Sequence, residues 1–299
     1  MNFDYGNVLM RSLQITWKHK SFWIFAMFPM VISFIFLFLY FIPVLFLWDS
    51  VDSQLWILIS WLVLLIISTV IGMILGTISS ASLTLGIVRL ERGDGLTSFM
   101  ALLRDGFPYF GRALGVVLIV QLTFGTIISA IFLVIFLLSL VTMGLASICL
   151  QPIMLLVTPL SFFVVAIMDG ALVLVVDENL GSWEAVKRAS QVVWKHVWKF
   201  LILTLIVYFV TSIVSAIFFT PAVIPILLFP VIVETGMDIS MFELTMILFA
   251  CIFIPLTTLF SGVTGTFMTA VLELSYMRLA APTGNEVVFA PDEPKPATL

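Results

Sequence analysis

The chain has 299 residues, 62% of them hydrophobic and only 10% charged, with a formal net charge of -4 and a mean hydropathy of +1.24. A soluble globular domain carries about 25% charged residues, so this balance excludes one and points to a polytopic membrane protein. It also argues against a nucleic-acid partner, which needs lysine and arginine clustered on a soluble face.

A bilayer core of about 30 Å is crossed by roughly 20 apolar residues of helix. On that measure six spans are expected, at 22–48, 55–88, 113–140, 148–176, 198–220 and 242–276. The fourth could be broken at Pro152 or Pro159, and the cluster Pro221, Pro225 and Pro230 is expected to end the fifth helix in a rigid turn. About twenty amphipathic residues precede the first apolar run, which is too long for a signal-peptide core, so the first span is expected to be retained.

Orientation follows from the basic residues, because positively charged loops resist translocation. All thirteen fall on one side of this topology: Arg11, Lys18 and Lys20; Arg89, Arg92, Arg104 and Arg112; Lys187, Arg188, Lys195 and Lys199; Arg278 and Lys295. The opposite connections hold Asp49 and Asp52, an uncharged turn at 142–147, and Glu234, Asp238 and Glu243. Both termini are therefore expected in the cytoplasm, with the chain in the cell membrane.

The basic segments are patterned. From Ser182, the expected N-cap, Val186, Ala189, Val193 and Val197 fall on one helical face, and Lys187, Gln191 and Lys195 fall opposite. With Trp183, Trp194 and Trp198 this reads as an amphipathic helix in the headgroup layer. The N-terminal segment repeats the pattern, with Leu9, Leu13 and Trp17 on one stripe and Arg11 and Lys18 opposite. Trp17-Lys18-His19 is repeated as Trp194-Lys195-His196, and these are the chain's two histidines. A weaker copy follows Thr97, with Arg104, Phe110 and Arg112 at an offset of 93 from Arg11, Trp17 and His19, interrupted by Pro108. R-L-E-R-G-D-G from Arg89 also resembles R-L-A-A-P-T-G from Arg278. The expected fold is thus all-α: one six-span domain over 1–284 built of three hairpin repeats, about 1–93, 94–180 and 181–284. Each repeat is led by an interfacial helix, and a disordered tail follows at 285–299.

Within the spans, Ser68, Gly72, Gly76, Ser80 and Thr84 recur every four residues, a pattern that lets helices approach closely, and Ser261, Gly265 and Thr269 form a shorter version. Helix packing is the expected role of Gly72, Gly76, Ser80 and Gly265; homodimerisation or a substrate path is the alternative. Intramembrane carboxylates are costly, which singles out Asp169 and Glu273. Each is expected either to pair with a cation such as Arg89, Arg112 or Arg278, or a backbone donor, at the membrane rim, or to serve a proton- or cation-coupled pathway.

His19 and His196 lack a carboxylate or second ligand at suitable spacing and read as interfacial anchors, with Arg11, Trp17, Lys18, Lys187, Arg188, Trp194, Lys195 and Trp198. Cys149 and Cys251 have no ligand-like spacing and read as apolar fillers. No metalloprotease, P-loop, dinucleotide-binding or nucleophile-elbow motif occurs. No catalytic residue, cofactor or metal is therefore expected.

The stretch from Ala171 to Phe200 is similar to a motif of bacterial six-span membrane proteins, the YciC-like proteins and the membrane domain fused to some glycerophosphoryl diester phosphodiesterases. Asp177, Glu178, Glu184, Ala185, Lys187, Arg188, Ser190 and Trp194 carry the resemblance. It implies a fold and a location and brings no activity, because the phosphodiesterase chemistry of such fusions belongs to a separate soluble barrel. The leading expectation is a non-enzymatic membrane protein whose basic helices engage membrane lipids or a membrane-protein partner, a second copy of the chain included. The alternative is a transporter or permease-like component that works through Asp169 and Glu273.

Overall fold

The computed structural model describes residues 3–47, 53–93, 98–142, 151–235 and 239–280, and within these the side chains of 41–47, 53–54, 151–160, 219–235 and 239–250 are not described. Asp49, Asp52, Cys149, Asp238, Lys295 and the 285–299 tail lie outside the described residues, as do the side chains of Glu234 and Glu243. Of the described residues 94% are helical and none is in a strand.

The helices, in chain order, are α1 (Tyr5–Lys18), α2 (Ser21–Leu47), α3 (Ser53–Arg92), α4 (Phe99–Gly106), α5 (Phe110–Val120), α6 (Thr126–Val141), α7 (Gln151–Asp177), α8 (Ser182–Lys195), α9 (Val197–Thr235) and α10 (Ile239–Ala280). Pro108 shortens the backbone to a 3-10 turn at Phe107–Tyr109 between α4 and α5, and a single π turn at Gln121–Gly125 joins α5 to α6.

Five segments are long and apolar enough to cross a membrane: Ser21–Tyr40, Leu55–Arg92, Phe99–Val141, Val197–Phe218 and Cys251–Ala280. They are compatible with a multi-pass integral membrane protein. The fourth expected span falls on α7, which runs unbroken through Pro152 and Pro159. The expected stop at Pro221, Pro225 and Pro230 is also corrected, since α9 continues through all three to Thr235. Each proline removes one donor, and a membrane helix tolerates that loss when the rest of its ladder holds.

The chain forms two compact units. The first comprises Met1–Lys18, Thr77–Leu205 and Phe267–Leu299. Among the described residues it holds every lysine and arginine except Lys20. Its core is built around α7, whose Ala166, Ile167 and Ala171 to Val175 are buried with Val116 and Val120 of α5, Ala185, Ala189 and Val193 of α8, and Leu272 and Tyr276 of α10. Small residues let these backbones close up. A Cβ on Gly115 would come within 2.9 Å of Ser182 Cβ, and one on Gly106 within 3.1 Å of Ser82 Cα.

The second unit comprises His19–Gly76 and Ile206–Thr266. Here a Cβ on Gly262 would meet the Trp23 carbonyl oxygen at 2.8 Å, and one on Gly265 would meet Ala26 Cβ at 3.1 Å, so the expected packing role of Gly265 has a neighbour to act on. The Tyr40 and Ser68 hydroxyls lie 2.9 Å apart, and Trp61 Nε1 donates to the Tyr40 carbonyl. The close approach expected at Gly72 and Gly76 finds no neighbour among the described residues, since none of their atoms lies within 4 Å of a Cβ built on either. A small residue permits an approach without compelling one, and attraction must come from the surrounding side chains.

Candidate functional site

Two groups of predicted residues occupy different settings in the first unit. The outer group lies on α1 and α8 and just beyond their ends. Along α8, Ala185, Ala189 and Val193 are buried, while Lys187, Gln191 and Lys195 are exposed. Trp183, Trp194 and Trp198 stay 69%, 64% and 72% exposed, too much for three large rings to be core residues. Trp194 lies parallel to Phe163 of α7 at 6.2 Å between centroids. His196 is partly buried and its Nδ1 donates to the Val192 carbonyl, which gives it a local structural partner. On α1 the buried positions are Val8, Ser12, Ile15 and Thr16, whereas Leu13 and Trp17 are exposed. Lys18 is exposed too. His19, in the second unit, packs beside Phe22 at 5.9 Å. Arg11, expected opposite the apolar stripe, is partly buried and donates through Nε to Glu91 at 2.9 Å.

Between α7 and α8 the acidic turn gathers arginines. Arg92 pairs with Asp177 and Arg188 with Glu178. Arg112 Nη1 donates to both the Oδ1 and the carbonyl of Asn179, whose φ of 57° is one that asparagine adopts more readily than most residues. Ser182 does not cap α8 as expected. Gly181 occupies the cap position, and the Ser182 hydroxyl donates to the Arg112 carbonyl at 2.8 Å. The turn thus ties α3, α5 and α8 to the end of α7.

The inner group is the pair of carboxyls. Glu273 on α10 is fully buried, and its Oε1 accepts the Thr84 hydroxyl of α3 at 2.5 Å. Glu273 Oε2 is buried with no hydrogen-bond partner among the described residues. Asp169 on α7 retains 7% exposure. The next residue, Gly170, faces the ring of Tyr276, one turn beyond Glu273 on α10: a Cβ there would meet Tyr276 Cδ2 at 2.5 Å. The arginines expected as partners, with a backbone donor as the alternative, bond other groups among the described residues. Arg89 donates to Asp105 at 2.7 Å, Arg112 is held by Asn179, and Arg278 Nη2 donates to Asn7. Sequence reasoning missed Thr84 as a partner, reading it as part of a packing stripe; a hydroxyl recurring in register with small residues was its only signal.

Among the described residues no three His, Cys, Asp or Glu side chains gather as a metal cluster, and Cys251 is a free, exposed thiol. The chain matches no protein-family model, no curated protein and no solved structure.

Proposed function

We propose that this is a non-enzymatic protein of the bacterial cytoplasmic membrane that engages anionic lipid through its basic, tryptophan-bearing helices. In this reading the chain crosses six times as three hairpin units, with both termini in the cytoplasm. The observation that carries it is the outer face of α8 and the first turn of α9, where Trp183 and Trp194 are exposed beside Lys187 and Lys195 and Trp198 follows, equally exposed, while the opposite stripe of α8 is buried. Rings of that size at a boundary suit the headgroup layer, and each lysine near an anionic leaflet adds about 1 kcal/mol. The resemblance of the 171–200 stretch to YciC-like proteins and phosphodiesterase membrane domains supports the location and contributes no activity. The three-unit arrangement gains support from the Thr84–Glu273 bond, which joins residues 189 apart, the same offset that aligns Arg89 with Arg278. Equivalent positions of related units meet only near the axis that relates them.

The test is reconstitution into nanodiscs of neutral phosphatidylcholine with and without phosphatidylglycerol, using lipids brominated near the headgroup end of the chain. Tryptophan quenching should be strong and should fall when Trp183, Trp194 and Trp198 are replaced by Leu. The phosphatidylglycerol retained by the detergent-purified protein, read by mass spectrometry, should fall in a Lys187→Gln, Lys195→Gln variant. Quenching unaffected by the tryptophan changes, or lipid retention unaffected by the lysine changes, would sink the reading.

A further inference from the structure

We propose that Glu273, Asp169 and the Thr84 hydroxyl form a binding site for one small hard cation inside the first unit. Three helices meet here: Thr84 of α3 bonds Glu273 of α10, and Asp169 of α7 adjoins Gly170, which packs on Tyr276 one turn along α10 from Glu273. A carboxylate inside an apolar bundle is tolerated when a positive charge and hydrogen bonds replace its lost hydration. Here the hydrogen bonds are incomplete. Oε1 of Glu273 is satisfied by Thr84, whereas Oε2 is buried and has no partner among the described residues.

The positive charge is missing as well, because none of the ion pairs among the described residues includes Asp169 or Glu273. The nearby arginines are spent on other acceptors: Arg11 on Glu91, Arg89 on Asp105, Arg92 on Asp177, Arg112 on Asn179 and Arg188 on Glu178. Arg278 shares a helix with Glu273 but sits among Asp4, Glu91 and Arg11.

The donor set decides the ligand class. Carboxylates and a hydroxyl are hard oxygen donors that suit an alkali or alkaline-earth ion, and a soft or imidazole-seeking metal would need the Cys or His side chains that are absent here. A divalent ion balances both carboxylates, whereas a monovalent ion leaves one negative charge for a proton. Asp169 keeps slight exposure and Glu273 keeps none, so the ion passes Asp169 to reach Glu273. Beside Asp169 the ring of Tyr276 sits directly on Gly170.

Binding is measured on the purified full-length protein in detergent, at fixed pH and with choline chloride holding ionic strength constant. Equilibrium dialysis with radiolabelled sodium or calcium, and elemental analysis for magnesium, give the ions bound per chain, and thermal unfolding gives the linked stabilisation. One ion per chain is expected, with a saturable rise in unfolding temperature for that ion. Sodium or a divalent ion as the occupant decides between the two charge balances. Glu273→Gln should abolish binding, Asp169→Asn should weaken it by roughly 10- to 100-fold, and Glu91→Gln, at the rim, should leave it unchanged. Wild-type protein that binds none of the three ions overturns the proposal even if the variants fail to fold. A response to pH alone does so too, because the pair would then be neutralised by its own protons, and so does undiminished binding by Glu273→Gln.

Discussion

Replacing Gly170 by Ala tests the packing beside the buried carboxyls most directly. The added Cβ would lie 2.5 Å from Cδ2, 2.8 Å from Cε2 and 3.1 Å from Cγ of Tyr276, where ordinary contact begins at 3.4 Å. The ring must therefore retreat by roughly 1 Å to regain the usual carbon separation. Tyr276 is 1% exposed, so any retreat presses on neighbouring core residues. Overpacking of this kind costs about 1–3 kcal/mol, against a gain of up to about 1 kcal/mol for Ala over Gly within a helix. The expected net loss is about 1–2 kcal/mol, read from reversible unfolding in mixed micelles. In a Tyr276→Ala background the obstruction is gone, and Gly170→Ala should become neutral or stabilising, a coupling of about 2 kcal/mol across the cycle. Equal costs in both backgrounds, within about 0.5 kcal/mol, would refute the contact.

The glycines of the second unit should split in sign. Gly262→Ala meets a backbone oxygen at 2.8 Å that cannot swing aside and should cost about 1–3 kcal/mol, whereas Gly72→Ala, with open space beside it, should stabilise by about 0.5–1 kcal/mol in the same unfolding assay. Thr84→Val, close to isosteric, leaves Glu273 Oε1 without its donor and should cost about 1–3 kcal/mol, with most of the loss recovered in Thr84→Ser. Arg112→Ala frees Asn179 and should speed amide hydrogen exchange across residues 178–182 while leaving exchange in α2 unchanged; equal protection in both proteins would remove Arg112 from its clamping role.

The helices and their apolar character were legible because a long uncharged run has few alternatives in lipid, and the two carboxyls were legible because each interrupts such a run. The prolines misled. Pro221, Pro225 and Pro230 carry a strong stop signal in water, yet α9 runs through them. The small-residue stripe misled differently: Gly72 and Gly76 fit an approach motif yet have no described atom beside them, while Gly170 and Gly262, which do take close neighbours, lie in shorter small-residue runs, Ala166–Gly170 and Thr258–Gly262–Thr266, that stand out less. Close approach depends on the side chain opposite, and one helix's sequence does not contain it. The partners of the arginines were hidden for the same reason, since Arg112 reaches Asn179 across 67 positions of chain and Arg11 reaches Glu91 across 80.

That no described cation pairs with Glu273 follows from helical geometry. Arg278 comes five residues after Glu273 on α10, and Arg89 comes five after Thr84 on α3. At 3.6 residues per turn, five positions place the second side chain about 140° around the helix, whereas three or four would have brought it alongside. Both arginines are thereby directed to partners at the polar end of the unit, Asn7 for one and Asp105 for the other. Of the ion pairs found there, Arg11–Glu91 is largely buried and the other three are partly exposed; exposed pairs contribute about 0–1 kcal/mol each, so those three hold helices in register more than they stabilise the fold. The buried carboxyls would gain far more from one positive charge than any of those acids does. An arginine within one turn, as in a Met277→Arg variant four residues after Glu273, would supply that charge internally and should compete with any bound ion. Loss of ion binding in that variant, with the unfolding temperature no longer responding to salt, is the outcome that the spacing predicts.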